Sequence, residues 1–149
     1  KDGEPNIHKL GSIEFDHKPY KIRGGREGAI ICAGSIASEV IKAAETLKTS
    51  GIELSVFLVP SLQGLDENFI HELMKFPVIY SVEEHSPVGG LGSAILEKLN
   101  YFSNGIKLNI IAADQSDLSV IGSQDFLRKI KGISHDKIVS RILNSIGLA

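Results

Sequence analysis

Residues 78–99 read V-I-Y-S-V-E-E-H-S-P-V-G-G-L-G-S-A-I-L-E-K-L, and three kinds of local structure follow one another within them. Val78, Ile79, Tyr80 and Val82 make a short run of β-branched and aromatic residues, the composition of a buried strand. Pro77, just ahead of it, has no amide with which to continue a preceding helix. Glu83, Glu84 and His85 bring charge to the carboxyl end of that strand. A turn holding Pro87, Gly89, Gly90 and Gly92 comes next, and Leu91, Ala94, Ile95 and Leu99 then fall at helical spacing. In open α/β sheets, ligands and partner surfaces meet at the carboxyl ends of strands and at the helix N-termini beside them.

The flanking chain repeats the pattern. Residues 29–33 are an apolar run, and Ser35 is placed to cap a helix carrying Ile36, Val40, Ala43, Ala44 and Leu47 at helical spacing, which Gly51 ends. Residues 52–59 are almost wholly apolar from Val56 onward, which predicts a strand covered on both faces, and Pro60 closes it. Residues 61–65 read as a loop. Asp66 is placed to cap a second helix with the stripe Phe69, Ile70, Leu73 and Met74, and residues 107–113 supply a further strand with Asn109 as its interior polar residue. After a polar loop at 114–123, residues 124–131 read as a short helix. Ser134 is placed to cap a last one whose Ile138, Val139, Ile142, Leu143 and Ile146 share a face.

At the amino-terminal end, residues 20–23 read as a strand. The glycine-rich G-G-R-E-G of residues 24–28 suggests that it folds back on residues 29–33 as an antiparallel hairpin. Residues 1–19 look like a linker or extension with at most a short extended piece at 12–15, so the domain proper is expected at 20–149. Strands separated by helices make right-handed crossovers, so the expectation is a largely parallel sheet with helices on both faces and one antiparallel strand at or near an edge.

Composition narrows the function classes. A chain of 149 residues with 42% hydrophobic residues suffices for one core and is short for two. Sixteen Lys and Arg against 18 Asp and Glu leave a formal charge of −2, which offers no electrostatic footprint for a nucleic acid. Cys32, the single cysteine, lies inside an apolar run and reads as a buried thiol in a reducing compartment. No stretch approaches the length of a bilayer span and the first residues are too polar for a signal peptide, so the expected location is cytoplasmic, without a membrane partner. A chain that begins at Lys1 is expected to be a processed protein or a piece of a longer one.

Each candidate for chemistry has a plainer reading beside it. Glu83, Glu84 and His85 could form an acid–base cluster, but neighbouring strand residues point to opposite faces, so hydrogen bonds that fix a loop or an interface are the favoured role. Gly89, Gly90 and Gly92 ahead of a helix, with Ser93, could hold an anion on backbone amides; they equally permit a tight turn or close approach of another subunit. G-G-x-G-S is neither the dinucleotide fingerprint nor a phosphate loop with its lysine, and G-L-G-S-A is not a nucleophile elbow. The five histidines, His8, His17, His71, His85 and His135, are scattered, so no metal site is expected. Arg128, Lys129, Lys131, Lys137 and Arg141 read as the solvated faces of two helices.

Taken together, the segments 34–52 (G-S-I-A-S-E-V-I-K-A-A-E-T-L-K-T-S-G-I), 61–66 (S-L-Q-G-L-D), 82–94 (V-E-E-H-S-P-V-G-G-L-G-S-A) and 132–138 (G-I-S-H-D-K-I) resemble the C-terminal domain of transketolase-like enzymes, in register from about Tyr20 onward. The E-E-H and G-G-L-G-S pattern looks closest to split, two-subunit transketolases and to 1-deoxyxylulose-5-phosphate synthase. Gly64 stands where that family commonly has proline. The resemblance implies a three-layer α/β/α fold whose five-stranded sheet has an antiparallel first strand. It also implies membership in a homodimeric thiamine-diphosphate enzyme that moves two-carbon ketol units between sugar phosphates. Such enzymes hold the diphosphate through Mg²⁺ on a G-D-G…N motif, which this sequence lacks. The resemblance therefore assigns no catalytic, cofactor-binding or metal-binding residue to this chain and makes the cofactor-binding domains or subunit its partner. Glu83, Glu84, His85, Gly89, Gly90, Gly92 and Ser93 are the interface or anion-site candidates. Two alternatives stand beside this reading: the equivalent domain of a 2-oxo acid dehydrogenase β subunit docking an acyltransferase core, and a stand-alone non-enzymatic α/β interaction module.

Overall fold

The computed structural model describes residues 16–102, 105–116 and 119–148. Five strands, β1 (Tyr20–Arg23), β2 (Gly28–Cys32), β3 (Leu54–Leu58), β4 (Val78–Glu83) and β5 (Lys107–Ala112), form one sheet in the order β1-β3-β2-β4-β5. All neighbours are parallel except β1 on β3. The helices are α1 (Ala37–Thr49), α2 (Glu67–Leu73), α3 (Leu91–Phe102), α4 (Gln124–Ile130) and α5 (His135–Ser145). The expected fold class, three layers around a mostly parallel five-stranded sheet, is what the chain adopts.

Alternation along the central strands divides the core in two. Ile30, Cys32, Val56, Tyr80 and Val82 meet α1 and α5 on one face, where Val40, Leu47, Ile138 and Ile142 are buried. Ile31, Phe57 and Ile79 meet Phe69, Ile70 and Leu73 of α2 and Leu91, Ile95 and Leu99 of α3 on the other. The period of two sends successive side chains to opposite layers, so strands covered on both faces are apolar almost throughout, with Ser55 and Ser81 as buried polar exceptions. The chain leaves β2 toward β3 through α1 on one face, then returns past β2 to β4 and β5 through α2 and α3 on the other. Reversing direction and changing face together keeps the crossover hand constant.

The expected hairpin does not form. β1 pairs with β3, with Tyr20 opposite Leu58 and an irregularity between Lys21 and Arg23, and β2 lies on the far side of β3. The glycine-rich turn, rather than closing β1 on β2, crosses the start of β3. The amides of Arg26 and Glu27 donate to the Glu53 carbonyl at 3.0 and 3.1 Å, and Ser55 Oγ bonds both the amide and the carbonyl of Gly25. Gly25 lies so close to the Glu53–Leu54 backbone that a Cβ there has no room. Burial gives the reason: every residue of β2 is buried, as a central strand requires, whereas β1 is only half-buried and suits the edge.

Two caps also differ from expectation. Ser35 sits in a short 3-10 turn (Gly34–Ile36) ahead of α1 and makes no cap bond to the helix. Ser134 precedes α5, but its hydroxyl donates to Asp136, and the first amide of α5, that of His135, donates to Glu39 of α1 at 2.8 Å. Asp66 caps α2 as expected, accepting from the Phe69 amide at 2.9 Å. Ile146 falls just past α5 and is partly exposed, unlike Ile138 and Ile142. Cys32 is buried, and burial pushes its thiol up to about 12. The expected extended piece at 12–15 lies outside the described residues. No helix among the described residues is long and apolar enough to cross a membrane.

Candidate functional site

The strand order reverses between β2 and β4, and in open α/β sheets the crevice outside that reversal is the usual ligand position. Here side chains of the chain itself fill it. Glu84, just past β4, accepts from Ser35 Oγ at 2.8 Å and from Arg128 Nε at 2.8 Å. Arg128 also donates to Ser35 Oγ at 3.0 Å, and the Gln124 amide reaches Ser35 Oγ at 3.0 Å and Glu84 at 3.3 Å. The Arg128 side chain is 6% exposed and that of Glu84 35%. Burial raises the Glu84 carboxyl, but the hydrogen bonds from Arg128 and Ser35 and the guanidinium charge outweigh it and hold the carboxyl below its ordinary value. The cluster ties the ends of β2 and β4 to α4, and Glu84, Gln124 and Arg128 line a cleft of about 600 Å³ together with Val120, Leu127 and Ile133.

Glu83, one residue earlier, points to the opposite face. It is 3% exposed, and its two carboxylate oxygens accept from the amides of Leu91 and Gly92 at 2.8 and 2.9 Å, the first amides of α3. A negative charge on those amides satisfies donors the helix cannot and complements its dipole. Gly90 is needed because the Glu83 carboxylate occupies the place of its Cβ, and Gly92 because Ser81 and Ile110 crowd its own. Gly89, at φ +77°, donates to Ser93 Oγ, which in turn donates to the Pro87 carbonyl. The turn is thus closed by its own hydrogen bonds, and two of the amides an anion would use already serve Glu83. His85 is exposed, with its Nδ1 3.2 Å from the Ser86 carbonyl oxygen.

The structure therefore separates the seven candidates. Glu83, Gly89, Gly90, Gly92 and Ser93 belong to the β4–α3 turn and Glu84 to the crevice, while His85 is exposed. Among the described residues, no three His, Cys, Asp or Glu side chains are grouped to hold a metal ion. Ser35, Gln124 and Arg128 are site residues that the sequence reading did not place there. Arg128 departs from the solvated face expected of it because α4 is inverted: it buries its arginine and leaves Phe126 and Ile130 partly exposed. Val88 and Ile121 are exposed as well, at 79% and 94%.

A three-layer α/β/α arrangement around a mostly parallel five-stranded sheet with one antiparallel edge strand defines the fold class of this domain. The model of the transketolase C-terminal domain matches residues 18–138, and the chain belongs to that family. It is similar to an apulose-4-phosphate transketolase polypeptide of Actinobacillus succinogenes, 31% identical over 144 residues, covering 94% of this chain and 45% of that protein. It is also similar to a putative transketolase C-terminal section of Methanocaldococcus jannaschii, 31% identical over 123 residues, covering 82% of this chain and 38% of that protein. A solved structure described as a split gene transketolase, inactive beta4 tetramer, has the same fold, with a TM-score of 0.85 at 22% identity over 98% of this chain and 48% of that one. The chain thus spans less than half the length of these relatives.

Proposed function

We propose that this chain is the C-terminal domain of a transketolase-type enzyme moving two-carbon ketol units between sugar phosphates, and that it braces the enzyme's cofactor-binding domains and its dimer rather than supplying reacting groups. Family membership and the fraction of each relative that the chain spans support the context. The observation that carries the bracing role is the internal saturation of both carboxylates at the head of the sheet: Glu83 is committed to the α3 amides and Glu84 to Arg128 and Ser35. Neither is poised to move a proton to a substrate.

Thiamine diphosphate with Mg²⁺ is the cofactor that the family implies for the whole enzyme, and the residues here do not fit it. The glycine-rich N-terminus of α3, where a diphosphate would be expected to sit, already holds the Glu83 carboxylate, which repels a second anion. Residues 20–149 form the domain in this reading, with 1–19 a linker or N-terminal extension, in the cytoplasm. In this reading the exposed apolar side chains Val88, Ile121 and Phe126, with the exposed His85, supply the docking contacts.

The test places Ile121→Asp and Phe126→Asp in the native protein that contains this chain, and follows assembly by light scattering alongside turnover. Weaker assembly, with turnover recovered at high protein concentration, is expected. Intact assembly with lost turnover, or a native particle with the mass of this chain alone, overturns the reading; the latter outcome leads to the stand-alone module.

A further inference from the structure

We propose that a second cleft, between the carboxyl end of β5 and α5, binds the phosphate group of a small phosphorylated metabolite. Its volume of about 710 Å³ lies in the range of small-molecule sites. Its cationic wall is one stripe of α5: Lys137, Ser140, Arg141 and Asn144, spaced so that all four share a face, opposite to the face that Ile138 and Ile142 bury. Pro87, Ile110 and Ile130 contribute apolar lining, and Gln115 and Ser116 line the cleft as well.

The stripe works against the helix that carries it. Lys137 stands in the first turn of α5, where the helix dipole disfavours a cation, and Arg141 follows at i+4, where like charges repel. Among the described residues neither has a carboxylate within ion-pair distance. Arg141 is nonetheless held at the strand end, its guanidinium 3.4 Å from the Ala112 carbonyl oxygen, with its forked donors beside the cleft. Lys131 also lines the cleft, and Asp114 is the one carboxylate among its described lining residues. Its carboxyl is lowered by hydrogen bonds from Ser116 and, further, by the charges of Lys131 and Arg141. A protein of net charge −2 thus concentrates cations around a concave site, with hydroxyl and amide donors between them. A phosphate monoester satisfies such a set, its oxygens taking charge-assisted bonds from arginine and lysine. The cleft volume and its apolar lining accommodate a carbon skeleton of sugar size. This site adjoins the cleft at Glu84 and Arg128, sharing Ala113, Gln115 and Lys131 with it, but it does not depend on the bracing role.

The test is a titration of the isotope-labelled 149-residue chain with ribose 5-phosphate and with ribose, read at the backbone amides of Ser116 and Gly132. Saturable shifts with ribose 5-phosphate and none with ribose are expected. Lys137→Gln with Arg141→Gln should weaken binding at least about tenfold, whereas Lys75→Gln with Lys98→Gln, the same charge change on other elements, should leave it unchanged. Lys137→Gln alone, at an exposed position, gives the same contrast if the double variant is poorly folded. No saturable shift up to about 10 mM, equal binding of ribose, or equal weakening by the two pairs of substitutions overturns the proposal.

Discussion

Glu83 and Glu84 are adjacent in sequence and opposite in fate. Glu83 faces the α3 layer and satisfies amides eight and nine residues ahead of it, whereas Glu84 faces the crevice and is held by residues 49 positions behind it and 40 and 44 ahead. The first arrangement is local: a strand end, a glycine turn and a helix start close on one carboxylate. The second joins three separate elements through a buried arginine. One side of β4 therefore secures a single turn, and the other secures the packing of α4 on the sheet.

Glu83→Ala tests the local side and should have the largest effect. It removes two hydrogen bonds from backbone donors to a buried charged acceptor, so a loss of about 3 kcal/mol is expected. The urea midpoint measures it, and a loss under about 1 kcal/mol would mean that water replaces the carboxylate on those amides.

Glu84→Ala tests the other side. It strips the buried Arg128 of its carboxylate, and an uncompensated buried charge is costly, but the partial exposure of Glu84 shows that water reaches the site, so about 2 kcal/mol is expected. Arg128→Met fills the same space without charge and leaves Glu84 free to hydrate; about 1 kcal/mol is expected. If the arginine variant proves the more damaging, the guanidinium acts as a packing element and not as the charge in need of compensation.

The two sides also differ in how far the sequence revealed them. The strand–turn–helix at residues 78–99, the helix stripes and the two-sided burial of the central strands follow from periodicity and local turn chemistry, and the structure follows them. What escaped was long-range. The turn at residues 24–28 has hairpin composition, yet its amides bond Glu53, just ahead of β3, because β2 must lie in the centre of the sheet. Ser35 reads as a cap by position, but Glu84 and Arg128 compete for its hydroxyl. Arg128 reads as surface by residue type. The available hint was in α4 itself, since Phe126 and Ile130 at i and i+4 define a stripe that leaves Arg128 on the other side of the helix.

Ser81 lies on the same strand face as Glu83. Its hydroxyl is buried beside Gly92 without a hydrogen-bond partner among the described residues, while the carboxylate two positions on satisfies the helix amides. Deleting an unsatisfied buried hydroxyl removes a desolvation cost, so Ser81→Ala should raise stability by about 1 kcal/mol. A loss of that size would place a bridging water on Ser81.

The smallest expected effect is a pH dependence that belongs to the crevice side. The Glu84 carboxyl lies below its ordinary value in the folded protein, against about 4.3 when unfolded. A lowered folded value means that the unfolded chain binds the proton more tightly, so the contribution is complete above the unfolded value and is lost as pH falls through the folded one. Glu84→Gln keeps an acceptor for Arg128 but cannot titrate. With Glu84 about a third exposed, solvent screens the interaction, and the variant should be less stable at neutral pH by under about 1 kcal/mol. That gap should close below about pH 4. Glu39, which burial raises but hydrogen bonds from Lys42 and the His135 amide hold below its ordinary value, titrates in both proteins, so the difference between them isolates Glu84. A gap that stays constant from neutral to acid pH would show that the network holds Glu84 by shape and hydrogen bonding alone, and that its charge contributes nothing to securing α4 on the sheet.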